Sequence, residues 1–165
     1  MSLIILLSIK PKYAEEILSC YKEYELRRGV VFRKGCRIVL YASTPLRAII
    51  GEFTAGRMLT GEPDEIVEFI RATGPRGVTE EDILYIAEER CRVSAIEVIN
   101  PVKYRRAITL GELRMHGLRN PPRSYLVLRL EHPVHAKILS FSMVYLGSSF
   151  LATRLAQYRR TFTSY

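Results

Sequence analysis

Gly51 and Gly56 fall within and just after an apolar run, Ala48 to Phe53, that otherwise reads as a strand, and no other feature constrains the fold as much. Glycine in such a place weakens a strand and marks a bulge or bend, the device a curved sheet needs. That favours a barrel. Leu3 to Ile9, short, apolar and closed by Lys10-Pro11, suits a buried strand. Tyr24 and Leu26 alternate with Glu25 and Arg27, the period of two expected of a strand with one apolar and one charged face. Arg37 to Ala42, Val93 to Ile99 and, after Pro121-Pro122, Ser124 to Leu130 read as further strands.

Helices separate these runs. Pro11 suits a first helical position, and Tyr13, Ala14, Ile17 and Leu18 recur at helical spacing through Cys20. Pro63-Asp64-Glu65 opens a helix to about Ala72, and Thr79 with Asp82 gives an N-cap signature for another to about Glu89. A short helix is predicted from Leu110 to Met115. The fold class is α+β: a β-barrel with peripheral helices over residues 1–130, followed by a helical extension over 131–165 that packs on the domain or on a second subunit. That extension reads as one helix from Pro133 to about Tyr158. Its uncharged stretch, Ile138 to Thr153, covers 16 positions, short of the roughly 20 needed to span a bilayer. Ser140, Gly147 and Ser148 share one face, which suits helix packing or a homodimer better than a membrane.

The 165 residues carry a net charge of +8, 48% hydrophobic and 25% charged residues, an ordinary globular balance. Of 25 Lys/Arg, 11 lie beyond residue 100, with only 2 of the 17 Asp/Glu, so the positive excess is C-terminal. Such a surface favours polyanionic partners. Three widely spaced cysteines, Cys20, Cys36 and Cys91, indicate neither a disulfide framework nor a zinc ribbon and read as reduced core residues. The N-terminal apolar run has the flanks of no signal peptide, and a cytoplasmic protein is expected. His132 and His135 read as surface histidines, since nothing nearby completes a metal site. No cofactor or metal is expected.

Acidic residues open two of the helices: Asp64 and Glu65 in one, Glu80, Glu81 and Asp82 in the other. They make those N-termini poor anion sites and speak against the Thr73 to Gly77 loop as a phosphate cradle. Lys10 and Lys12 sit instead at the positive end of the first helix, a cost of about 0.3–1 kcal/mol that a bound phosphate or carboxylate would relieve. Two solvated lysines explain them equally well.

Leu6-Leu7-Ser8-Ile9-Lys10-Pro11, Tyr13-Ala14, Ile17-Leu18, Lys22, Tyr24-Glu25 and Arg27-Arg28 resemble, in order, the opening signature of ASCH domains, particularly the prokaryotic stand-alone group. Gly35, Leu40 to Ser43, Ile50 to Phe53, Ala95 to Val98, Leu113-Arg114 and Pro121 to Tyr125 extend the resemblance over residues 3–128. It implies a PUA-like (ASCH) barrel with a cleft beside it that receives RNA or a nucleoside-like ligand. The implied cleft residues are Lys22, Glu25 and Arg27, with Lys10, Arg28, Tyr41, Ser43, Arg123, Ser124 and Tyr125 as neighbours. A structural ion pair between Glu25 and Arg27 is the plainer account of those two. An arginine fork can hold phosphate or a base edge, and a tyrosine can stack a base. One branch of the family resembles an acetylcytidine amidohydrolase with a catalytic lysine, a threonine three positions on and a distant glutamate. Here Lys22 fits, but Glu25 stands at the threonine position and Arg76 near the glutamate. Recognition of RNA or a nucleotide therefore ranks ahead of catalysis, with hydrolysis of a modified nucleoside, through Lys22 and Glu25, as the alternative.

Overall fold

The computed structural model of the chain describes residues 3–145. In chain order they form β1 (Ile4–Ile9), α1 (Pro11–Leu18), β2 (Tyr24–Arg28), β3 (Arg37–Ala42), β4 (Ala48–Gly61), α2 (Pro63–Thr73), α3 (Glu80–Ala87), β5 (Val93–Thr109), α4 (Leu110–Met115), β6 (Tyr125–Leu128) and α5 (Pro133–Tyr145). One six-stranded sheet results, in the order β2-β5-β4-β3-β1-β6. β1 and β3 pair in parallel, with α1 and β2 intervening in the chain, and every other pair is antiparallel. The sheet curls into a half-barrel.

The curling follows from irregularities where the glycines predicted them. The β4–β5 register shifts between Ile49 and Gly51, between Glu52 and Thr54, and between Ala55 and Met58, the last interval containing Gly56. At Gly51 an added Cβ would come within 2.5 Å of the Val102 carbonyl oxygen and 2.6 Å of a Leu18 methyl. Only glycine lets α1 lie this close to the bent strand.

Period-two alternation sorts the apolar residues into layers. Ile5, Leu7, Ile9, Ile38, Leu40, Phe53 and Ile96 fill the barrel interior beneath Ala14, Ile17 and Leu18 of α1. Val30 and Phe32, from the loop after β2, complete that layer. The outer face of β1 and β3, with Ile4, Leu6 and Val39, is covered by Leu113 of α4 and by Val134, Ile138 and Phe141 of α5. Tyr24, Leu26, Val93 and Ala95 lie beneath Ile66 and Ile70 of α2 and Ile83 and Ile86 of α3.

Several expectations change. β5 runs to Thr109 rather than Ile99: Asn100, with φ +49°, and Pro101 break the sequence pattern, yet pairing with β4 resumes beyond them. β6 stops at Leu128 because its ladder partner β1 starts opposite it, at Ile4. Cys20 and Cys91 are exposed and Cys36 half-buried, not core residues. Cys20 takes a left-handed φ of +63° after the end of α1, outside the helical spacing that would have buried it. His135 is buried, because the first turn of α5 packs on the sheet. The end of the expected helix, with Gly147 and Ser148, lies outside the described residues. Among those described, no helix is long and apolar enough to cross a membrane.

Phe53 is fully buried at the centre of the barrel interior. Phe53→Ala is expected to cost about 3–5 kcal/mol. Urea unfolding with an unchanged m-value measures it; a loss under about 1 kcal/mol would mean that the interior collapses around the cavity.

Candidate functional site

Among the described residues no backbone ladder joins β2, one end of the sheet, to β1 or β6 at the other. Arg27 bridges this seam, its Nη2 donating to the Ser8 carbonyl at 2.8 Å. Along the seam opens a cleft of about 270 Å³. β2 contributes Glu25 and Arg27, the turn before it Lys22, α1 Tyr13, and α3 Glu81, Asp82 and Tyr85. Lys10, Ser43 and Arg123 complete the rim. The alternation read from the sequence holds: Tyr24 and Leu26 pack under α2 and α3, while Glu25 and Arg27 turn to the cleft.

Lys22 is only 2% exposed. Its Nζ donates to Asp82 Oδ1 at 3.1 Å and stands 4.5 Å from the Tyr13 ring centre. Asp82 serves two structures at once. Its Oδ2 accepts from the backbone N–H of Thr79 at 2.8 Å and from the Thr79 hydroxyl at 3.0 Å, closing the capping box of α3. The other oxygen is left for Lys22, so the aspartate that starts the helix also neutralises a buried lysine.

Lys22 is held from behind by the loop between α2 and α3. Gly77 has φ +72°, and an added Cβ there would come within 2.6 Å of the Lys22 Cα and 2.8 Å of the Tyr21 carbonyl oxygen. Next to it, the Glu23 N–H donates to the Arg76 carbonyl at 3.0 Å, and Arg76 Nε donates to Glu23 Oε1 at 2.9 Å. The glycine-rich loop thus packs against the strand entry, and Arg76 lies outside the cleft.

Glu25 is buried, with Arg27 Nε 2.9 Å from its Oε1, so the ion pair anticipated as one account of these residues does form. Burial pushes the Glu25 carboxyl above the usual carboxylate range, and the Asp82 charge adds to this, against the opposing pull of Arg27 and Lys22. Burial also raises the Tyr13 hydroxyl, helped by Asp82 and Glu81. The cleft mixes charges: Lys10 and Arg123 come from the β1 and β6 side, Glu81 and Asp82 from α3.

Of the residues anticipated from sequence, Lys10, Lys22, Glu25, Arg27, Ser43 and Arg123 meet in the cleft. Tyr41 is buried in the outer layer with Val39 and Ile4, on the other face of the sheet. Ser124 contributes its carbonyl to the Ser8 N–H at 2.9 Å, and the Tyr125 ring packs edge-on against Phe32, the centroids 5.1 Å apart. Arg28 stands outside the cleft, behind Tyr85. Sequence reasoning missed Tyr85 and the second role of Asp82. The Thr79–Asp82 spacing signals the cap, but nothing local signals that its spare oxygen meets Lys22, 60 residues away. Among the described residues no group of three or more His, Cys, Asp or Glu is placed to hold a metal ion.

Gly77→Ala combines a disfavoured φ with a backbone clash and should destabilise by more than about 1 kcal/mol. It should also shift the Lys22 and Tyr13 resonances in an NMR spectrum, whereas a silent variant would show that the loop gives way. For Glu25, the raised pKa means that the native state keeps its proton where the unfolded chain, titrating near 4.5, has lost it. The resulting stability is full below that value and is lost as pH rises through the folded one. Glu25→Gln cannot ionise, so it should gain on the wild type as pH rises from the unfolded value through the raised folded one and then level off. Denaturation midpoints across that range check this, and a constant difference would contradict it.

No family model matches the chain. No curated protein matches it either. Solved structures do. The crystal structure of ASCH from Zymomonas mobilis superposes with a TM-score of 0.70 at 22% identity, covering 82% of this chain and 94% of that one. A tyrosine-to-phenylalanine mutant of the same protein gives 0.71 at 22% identity, over 83% and 96%. A hypothetical protein from Leishmania major gives 0.54 at 14% identity, over 85% and 94%. At these identities the likeness is one of fold: the curled six-stranded half-barrel with its helices is the fold of the Zymomonas mobilis ASCH structures.

Proposed function

We propose that this chain binds RNA or a nucleotide through the cleft of Lys22, Glu25 and Arg27, as an ASCH-type module of RNA metabolism or of transcription- or translation-related regulation. The observation that carries this reading is the burial of Lys22 and Glu25 together in a cleft of about 270 Å³, room for one nucleoside and too little for a duplex. Burying ionisable groups in a cleft is costly and marks functional sites. Lys22 and Arg27 suit phosphate or a base edge. Glu25, its pKa raised, can donate or accept a hydrogen bond at a base edge according to its protonation. The basic C-terminal third supplies further phosphate contacts.

A second reading, hydrolysis of a modified nucleoside, draws on the same buried Glu25 beside Lys22, a carboxyl whose raised pKa lets it act as a proton donor as well as an acceptor.

Anisotropy titrations of short labelled single-stranded RNA homopolymers, and competition by nucleoside monophosphates, test the binding reading. Affinity should fall steeply with salt, with a log–log slope of about −0.7 per phosphate neutralised. Lys22→Met and Arg27→Ala should each weaken binding by about tenfold or more. Absence of binding to every RNA and every monophosphate would overturn the proposal. Chromatographic appearance of deacetylated product from N4-acetylcytidine, lost in Glu25→Gln, would favour the hydrolase instead.

A further inference from the structure

The tyrosines best placed to hold a base are not those picked out by the sequence. Tyr41 is buried on the far face of the sheet, and Tyr125 leans on Phe32. Tyr85, on α3, lines the cleft and is 47% exposed. Its flanking residues Ile83 and Ile86 anchor the helix on the sheet, so the ring stands on a rigid element.

One side of that ring is already taken. The Arg28 guanidinium carbon lies 3.8 Å from the ring centre, stacking distance for a cation on an aromatic face. Arg28 is itself fixed, its Nε 2.8 Å from Glu89 Oε1 and its Nη2 directed at the Tyr85 carbonyl. Tyr85 is part of the cleft wall and Arg28 is not, so the ring joins the cleft to an arginine that lies outside it. An aromatic ring held this way loses little side-chain freedom when a flat ligand lands on it.

The geometry points to Tyr85 as a stacking platform for an unpaired nucleobase, with Arg28 as the positioning residue that holds the ring. This rests on the RNA or nucleotide reading of the cleft and narrows it to a single unstacked base, supplied by single-stranded RNA or by a free nucleotide. A base within a duplex has both faces covered and cannot take this place.

The test uses the full chain and single-stranded homopolymers of A, C, G and U, with a duplex of equal length and the four monophosphates as further arms. Stacking on an aromatic side chain is worth about 1–3 kcal/mol per base, so Tyr85→Leu, which keeps the bulk but not the aromatic ring, should weaken binding to the preferred homopolymer by roughly 5- to 150-fold. Tyr85→Phe should bind as the wild type does. Neither change should alter the salt slope, because no charge is removed. Arg28→Met should weaken binding less than Tyr85→Leu, and the duplex should bind more weakly than either of its strands. A tight monophosphate identifies the source as a free nucleotide; tight binding of homopolymer alone identifies RNA. Both outcomes support the platform if Tyr85→Leu weakens them. If Lys22→Met abolishes binding while Tyr85→Leu leaves it intact, the platform is wrong and the cleft reading stands. If nothing binds, both fall together.

Discussion

The site depends on a seam that the sheet leaves open. β2 reaches the neighbourhood of β1 without pairing with it, and Arg27 spans the gap by donating to the Ser8 carbonyl. Val30 and Phe32, from the loop after β2, belong to the same apolar interior as the residues of β1. A barrel closed by a continuous ladder has no such edge. Here the missing hydrogen bonds create space for charged side chains, and the polar groups at the opening are answered by an arginine rather than by a strand.

Charge accounting explains why the cleft can stay folded with so many ionisable groups. Lys22 meets Asp82 and a tyrosine face, and Glu25 meets Arg27. A buried pair of this kind adds little net stability, whereas losing one partner is expensive. The arrangement is therefore better understood as a means of holding charge in place than as a stabilising feature of the barrel. Stability resides elsewhere, in the three apolar layers on the two faces of the sheet.

The legible parts of this molecule were those set by local patterns. Strand alternation placed Glu25 and Arg27 on one face, the glycines located the bends in β4, and the Thr79–Asp82 spacing located the start of α3. Pairing across long separations was not legible. Tyr41 follows the same alternation as its neighbours, but which face of β3 looks into the barrel depends on how the sheet curls. Cys20 follows the helical spacing of α1 only until the helix ends two residues earlier. Tyr85 reaches the cleft because α3 packs on β2, a tertiary fact with no trace in the residues around it.

Asp82 divides its labour between two oxygens, and this couples the start of α3 to the lysine of the cleft. Oδ2 accepts both Thr79 donors at the cap of α3 and Oδ1 is left to Lys22, so one carboxylate ties the helix that carries Tyr85 to the entry of β2. A sequence that kept the threonine and aspartate of the cap while changing the lysine would keep the start of α3 but leave a nearly buried aspartate oxygen without its cation, so a change at one position carries a cost at the other.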